Sequence, residues 1–212
     1  MSQAAQARFD ALAPNTAASF VTKVDKANKS AVESSIAKAL SVDFATIIDG
    51  TDVGAVLDQA LVENVNLIKS ISTEHFGKVS KAVLDNYRGI PQPEGVSLTQ
   101  RLQDIGGITK KRAKFIARDQ TSKLTGDLNQ SRQQDNGIDE YIWRTAKDRR
   151  VVGTPGGLYP KGTKGHGNHY EREGKTFRWD SPPSDGHCGQ AYGCRCYAEP
   201  KLNLEKLKAQ YI

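Results

Sequence analysis

Apolar residues recur at helical spacing over much of the first 134 positions of this chain. From Val53 to Ile71 they fall at Val53, Val56, Leu57, Ala60, Leu61, Leu67, Ile68 and Ile71, with Asn64 on the same stripe, and the pattern keeps the period of a helix. Thr51-Asp52 offers an N-cap just ahead of it. A second stripe, Phe76, Val79, Val83, Leu84 and Tyr87, predicts a helix over 73–87 that stops at Gly89, with Pro91 and Pro93 close behind. Upstream, Phe20, Val21, Val24, Ala27 and Ala31 punctuate a stretch rich in Ala, Lys, Ser and Gln, so residues 1–88 read as helical. Gly95-Val96-Ser97 leads into a short helix with Leu98, Leu102 and Ile105 on one face, which Gly106-Gly107 is expected to break. Thr109 then caps a long helix over 110–134 with Ala113, Ile116, Ala117, Gln120, Leu124, Leu128 and, more loosely, Arg132 facing inward, and Gly137 ends it.

The texture changes at Ile138. The segment 140–145 alternates apolar and polar residues and is rich in β-formers, which predicts a strand. Val151–Gly157 is a turn-rich loop, and 161–167 (KGTKGHG) reads as flexible. Short strands are expected over 175–179 and 194–198, separated by a break at Pro182-Pro183, with Leu202, Leu204 and Leu207 closing the chain on a short helix. The fold class expected is therefore α+β: a helical N-terminal region over 1–90, linking helices over 91–137, and a small C-terminal domain over 138–212 of short antiparallel strands and long loops.

Composition limits what this arrangement can be. A chain of 212 residues with 37% hydrophobic content should bury a modest core, so part of it is expected to be stabilised by partners. The net charge of +6 favours nucleic acid or acidic protein surfaces as partners. The first 20 residues carry no basic segment followed by an apolar run, and no stretch reaches the roughly 18 apolar residues that span a bilayer, so neither a signal peptide nor a membrane partner is expected. Three cysteines, an odd number, fit a reducing compartment better than a disulfide framework.

The concentrated chemistry lies between His166 and Cys196. Three of the four histidines and all three cysteines fall there, while His75 stands alone in a helical stretch. Cys194 and Cys196, alternating on a strand, would present both thiols to one side and Arg195 to the other. A disulfide between them would close a strained ring. Two thiols on one face suit a soft ion, and His169 and His187 can complete a tetrahedral set, so the expected cofactor is one structural zinc held by His169, His187, Cys194 and Cys196. Cys188 is nearby, and Asp148 is a candidate hard ligand. The competing reading is that the thiols are compact buried hydrophobes.

The same domain carries Arg144, Lys147, Arg149, Arg150, Lys161, Lys164, Arg172, Lys175 and Arg178 against Asp148, Glu171 and Glu173, interleaved with Tyr141, Trp143, Tyr159, Tyr170, Phe177 and Trp179. That mixture suits contact with DNA phosphates or an acidic partner, and it suits somewhat better a solvated face around a small aromatic core. Trp143 and Trp179 occupy positions that favour burial. Enzyme chemistry is the alternative: a metal-dependent nuclease or toxin-like enzyme using His169, His187 and Asp148. The run His166-Gly167-Asn168-His169 packs its histidines and asparagine into four adjacent positions, where HNH nucleases spread them over a ββα unit. Asp148, His169 and Cys194 also form a conceivable nucleophile set. No phosphate-binding glycine motif is present. The residues favour a protein without turnover.

In combination these residues resemble a known family. The stretch Trp143-Arg144-Thr145-Ala146-Lys147-Asp148-Arg149-Arg150-Val151 is similar to the W-x-T-x-x-D-x-R-V signature of the phage Mu F-like family, which includes the SPP1-type minor head (head morphogenesis) proteins. His169, Gly174-Lys175-x-Phe177-x-Trp179, Pro182-Pro183, Gly186-His187, Gly189-Gln190 and Cys194-Arg195-Cys196 follow in the family's order, and 115–123 and 141–143 look like its lead-in. The likeness covers roughly 50–200, with Trp143, Thr145, Asp148, Trp179 and Arg195 as motif residues. The chain departs from the pattern at Val152, Cys188 and Gly193. The resemblance implies a bacteriophage minor head protein, made in the host cytoplasm and carried in the virion near the portal. It would act in prohead assembly, with portal, capsid or scaffolding proteins and double-stranded DNA as partners.

Overall fold

The computed structural model describes residues 2–40, 51–87, 90, 96–162, 167–203 and 205–206. Gly89, Pro91, Pro93 and Gly95, expected to separate two helices, lie outside them, as do Lys164, His166, Leu204 and Leu207. The expected class holds: among the described residues, three helices precede a three-stranded antiparallel sheet with long loops. The helices are α1 (Ser2–Leu40), α2 (Gly54–Tyr87) and α3 (Leu98–Asp135), and the strands are β1 (Glu140–Arg144), β2 (Thr176–Arg178) and β3 (Tyr197–Pro200). No helix among the described residues is long and apolar enough to cross a membrane.

Two expected helix breaks are absent, for local reasons. α2 runs through Ser72 and Thr73 because both hydroxyls donate to the Lys69 carbonyl (2.9 and 3.0 Å) rather than capping a new helix. α3 runs through Gly106-Gly107, and Thr109, expected as a cap, donates instead to the Ile105 carbonyl at 2.9 Å. Each glycine costs about 1 kcal/mol relative to alanine, too little to stop a helix flanked by good formers. Pro14 sits inside α1 although it removes one backbone donor. The expected starts do hold. The Asp52 carboxylate accepts from the Gly54 N–H at 3.0 Å, and the Ser97 hydroxyl accepts from the Gln100 N–H at 3.1 Å.

The chain forms two compact units, each drawing on the long helices: residues 1–20 with 59–118, and 21–58 with 119–212. Among the described residues of the first unit, the buried apolar side chains are all alanines, Ala13, Ala17, Ala60 and Ala82. Polar and edge contacts supplement them. Gln6 donates to Ser72 Oγ at 2.9 Å, the Phe9 and Phe76 rings meet edge-on at 5.9 Å, His75 Nδ1 lies 3.0 Å from Thr109 Oγ1, and Arg112 pairs with Glu74.

The second unit buries larger groups. Val21, Val32, Ile36, Leu124 and Leu128 pack on its helical side. A buried polar seam runs beside them: Arg132 donates to Asn28 (2.5 Å) and Asp25 (2.6 Å), and Asn28 donates to Asn129 (2.7 Å). The sheet order is β2-β1-β3, with Tyr141 opposite Phe177 and Trp143 opposite Ala198. Along β1 burial alternates, so Tyr141 and Trp143 both point inward. They join Trp179, Ala198 and all three cysteines in one core. Gln133, fully buried on α3, ties helix to sheet by accepting from Trp179 Nε1 (3.0 Å) and donating to the Ala198 carbonyl (3.2 Å).

The last strand starts later than expected. The segment 194–198 was the predicted strand, but pairing begins at Tyr197, opposite Arg144. The Cys194 N–H is spent on a turn to the Ala191 carbonyl (2.9 Å) and the Cys196 N–H on Cys194 Sγ (3.4 Å), so neither joins the ladder. The predicted strand over 175–179 contracts to Thr176–Arg178.

Candidate metal centre

The loop that carries the cysteines is fixed by close approach to α3. A Cβ on Gly126 would meet the Cys188 carbonyl oxygen at 2.5 Å, and Gly189, at a φ of +89°, lies equally tight against Ser122. The Gly193 N–H donates to Asp119 Oδ1 at 2.6 Å, which anchors the turn directly before Cys194. Arg195 points to the other side, as expected, and donates to Asp148 Oδ1 at 2.5 Å. The two thiols are thereby turned inward.

There they meet His169. Its Nδ1 is 3.6 Å from Cys194 Sγ and 3.6 Å from Cys196 Sγ. The three ligand atoms lie within 4.8 Å of one another, and all three residues are buried, so the cluster can hold a metal ion. A cation seated between the three atoms would be held by all of them at once. Behind the ring, His169 Nε2 lies 2.8 Å from Asp185 Oδ2.

The electrostatics of the cluster follow from these contacts. The Cys194 thiol is drawn well below the ordinary thiol range, first by its hydrogen bond with Cys196 and then by His169, against the effect of burial. The same shared hydrogen bond, with burial, pushes Cys196 up. Burial alone would lower His169, but Cys194 and Asp185 outweigh it and raise it. Burial would likewise raise Asp185, but the Gly167 N–H, His169 and Arg172 hold it at about 2. Both directions favour the charged form of the pair, and metal binding at these atoms requires the thiols and His169 Nδ1 to be free of protons.

The structure does not bring every expected ligand to this point. His187 lies elsewhere in the core, with Nδ1 2.9 Å from the Tyr141 hydroxyl and Nε2 3.2 Å from the Trp179 carbonyl oxygen, and burial lowers its pKa. Both its nitrogens are engaged, so it braces the aromatic core. Cys188 is buried in the same core, and burial pushes its thiol up. Asp148 is held away from His169 by Arg195 and Arg150, the latter at 3.2 Å. The carboxylate that does reach His169, Asp185, was not singled out from the sequence, although it lies within two residues of His187.

The motif residues all have structural tasks. Trp143 and Trp179 form the core. The Thr145 N–H and hydroxyl both donate to Glu173 Oε2, at 2.6 and 2.7 Å. Asp148 accepts from the Arg150 N–H at 2.9 Å while holding Arg195. Of the basic residues, Arg144 pairs with Glu199 and Glu173, Lys147 with Glu173 (3.6 Å), Arg150 with Asp148, and Arg172 with Asp185 (2.7 Å). Arg149, Lys161 and Lys175 are exposed.

The chain is 31% identical over 194 residues to a Haemophilus influenzae protein described only as uncharacterized. The match takes in 90% of this chain and 40% of that relative, so the chain spans about 40% of the relative's length. No family model matches the chain. No solved structure matches it.

Proposed function

We propose that this chain is an assembly protein of a tailed-phage head: a minor head protein that docks on portal, capsid or scaffolding proteins and contacts packaged DNA, without catalysis. One observation carries the reading. The first helical unit leaves Phe9, Leu12, Val62, Val83, Leu84 and Ile108 exposed while burying only alanines among its apolar residues. Helices that leave several large apolar side chains in water offer a surface for a partner to cover. The motif residues that resemble the Mu F-like family serve as braces in the second unit, which fits docking better than turnover. His169, Cys194 and Cys196 are buried, so a substrate has poor access to them.

Within that reading the His169–Cys194–Cys196 cluster holds one structural zinc. Sulfur and nitrogen bound to a tetrahedral zinc at about 2.3 and 2.1 Å lie about 3.6 Å apart. Both sulfur–Nδ1 separations have that value. The metal would tie the loop before β3 to the segment that carries His169.

Co-expression with the portal and major capsid proteins of the same genome tests the docking. Copurification, weakened by serine at Leu12 and Val62, is the expected result. Failure to associate with either protein, or plasmid cleavage with added divalent metal that disappears in His169→Ala, would overturn it.

A further inference from the structure

We infer that Asp185 is the outer-sphere carboxylate that fixes the tautomer and orientation of His169 for metal binding. This rests on the metal reading of the same cluster.

The imidazole has two nitrogens and two different neighbours. Asp185 Oδ2 stands 2.8 Å from Nε2 and, as a carboxylate, can only accept. It therefore places a proton on Nε2 and leaves Nδ1 as the nitrogen whose lone pair faces the two sulfurs. Histidines that bind metals commonly give their second N–H to a carboxylate in this way, which raises their basicity and locks the ring.

Asp185 is itself held. Its Oδ2 also accepts from the Gly167 N–H at 2.6 Å, and its Oδ1 lies 2.7 Å from Arg172 Nη1. The Arg172 guanidinium sits 4.7 Å over the Trp143 ring, and that ring meets the His169 ring edge-on at 5.1 Å. Asp185, Arg172 and Trp143 thus close a circuit around the imidazole. The Asp185 side chain is only 5% exposed. A carboxylate buried this deeply is costly unless its charge is used, and Arg172 already supplies a counter-ion, so the contact with His169 is a further use.

A purely structural Asp185 would act through Arg172, and that difference makes the test. Zinc affinity of the full chain is measured by competition with a chromophoric chelator for the wild type, Asp185→Ala, Asp185→Asn and Arg172→Met. The zinc-loaded wild type is also examined by long-range proton–nitrogen NMR of the His169 ring. Asp185→Ala should bind zinc about 10–100-fold more weakly, with Asp185→Asn, whose amide oxygen can still accept from Nε2–H, recovering much of the loss and Arg172→Met staying within about threefold of wild type. NMR should show a proton on Nε2 and metal on Nδ1. Asp185→Ala binding like wild type, a loss of about 10-fold or more in Asp185→Asn or Arg172→Met, or a proton on Nδ1 in the loaded wild type, would overturn the assignment. Should Asp185→Ala fail to fold, the asparagine variant and the wild-type NMR still decide it. A wild type that takes up no zinc refutes the metal reading itself and the inference with it, a failure visible before any variant is made.

Discussion

The two units solve the same problem with different materials. The first buries alanines between long helices and leaves Phe9, Leu12, Val62, Val83, Leu84 and Ile108 in water. The second gathers Tyr141, Trp143, Trp179 and three cysteines around a sheet of three very short strands. Small side chains let helices approach closely but remove little apolar surface, and hydrophobic stabilisation scales with the area removed. Large aromatics bury far more per residue. They need geometric support, and in the second unit that comes from polar braces such as Gln133, Glu173 and Asp185. One unit thus encloses large apolar groups in its core, and the other leaves several of them exposed.

On the proposed zinc reading, chelation should produce the largest effect, and it should fall on the second unit. Both tryptophans of the chain lie there, so tryptophan emission reports that unit selectively. A ligand at a thousand times its dissociation constant stabilises by about 4 kcal/mol. For a chain of this length that corresponds to a fall of about 8–16 °C in the tryptophan-detected midpoint on chelation. Cys194→Ser should reproduce the fall and make chelator irrelevant. A midpoint indifferent to both would return the thiols to the role of compact core residues.

Next is the seam that joins α1 to α3 in the second unit. Arg132 is buried and donates to Asp25 and Asn28. Arg132→Ala leaves those acceptors without their donor and should cost about 3 kcal/mol, measured by urea unfolding. Gln133→Leu should cost about 2 kcal/mol, because the Trp179 indole N–H and the Ala198 carbonyl lose their buried partner together. If Gln133→Leu were neutral, the helix–sheet junction would rest on apolar packing alone.

These residues also mark how far the sequence could be read. The α+β class, the α2 and α3 caps and β1 were legible because each has a local cause: a period of 3.6 or 2, or a short polar side chain before an apolar run. The helix breaks were misplaced because Thr73, Thr109 and the paired glycines are breakers only in the absence of a satisfied i−4 carbonyl and good neighbours. The cluster was legible as residue types, and His169, Cys194 and Cys196 do converge. His187 does not, since its proximity in sequence says nothing of the Tyr141 hydroxyl and Trp179 carbonyl that occupy its nitrogens. Asp185, Gln133 and Asp119 were invisible as site residues because their partners are 16, 46 and 74 positions away. Within the basic stretch, Arg144, Lys147, Arg150 and Arg172 have carboxylate partners that only the fold supplies.

A smaller effect is a dependence of the second unit on pH. The Asp148 carboxyl is held well below the usual range, first by its hydrogen bond from Arg195, with burial opposing and Arg150 adding to the lowering. A depressed carboxyl contributes stability that is fully present above the unfolded value of about 3.9 and is lost as the pH falls through it toward the folded value. Asp148→Asn should flatten that acid-side loss. Asp148 is partly exposed, so screening keeps the neutral-pH cost under about 1 kcal/mol. Stability profiles from pH 7 downward, compared for the two proteins, read this directly. An unchanged acid limb would mean that the Asp148–Arg195 pair contributes nothing measurable.

The smallest stability change should come from the substitution with the greatest consequence for assembly. Leu12 and Val62 are each about 60% exposed in the first unit. Replacing them with serine removes little buried surface, so the chain's own stability should shift by no more than about 0.5 kcal/mol. Were these side chains part of an unrecognised core, the cost would instead approach the several kcal/mol of a large-to-small core change. The two outcomes are far apart, and thermal melting alone separates them. If stability holds while copurification with portal or capsid protein is lost, the apolar residues that the first unit leaves in water are the docking surface. If stability and association both survive, the exposed side chains are ordinary surface, and partner contact has to be sought on the exposed Arg149, Lys161 and Lys175 of the second unit instead.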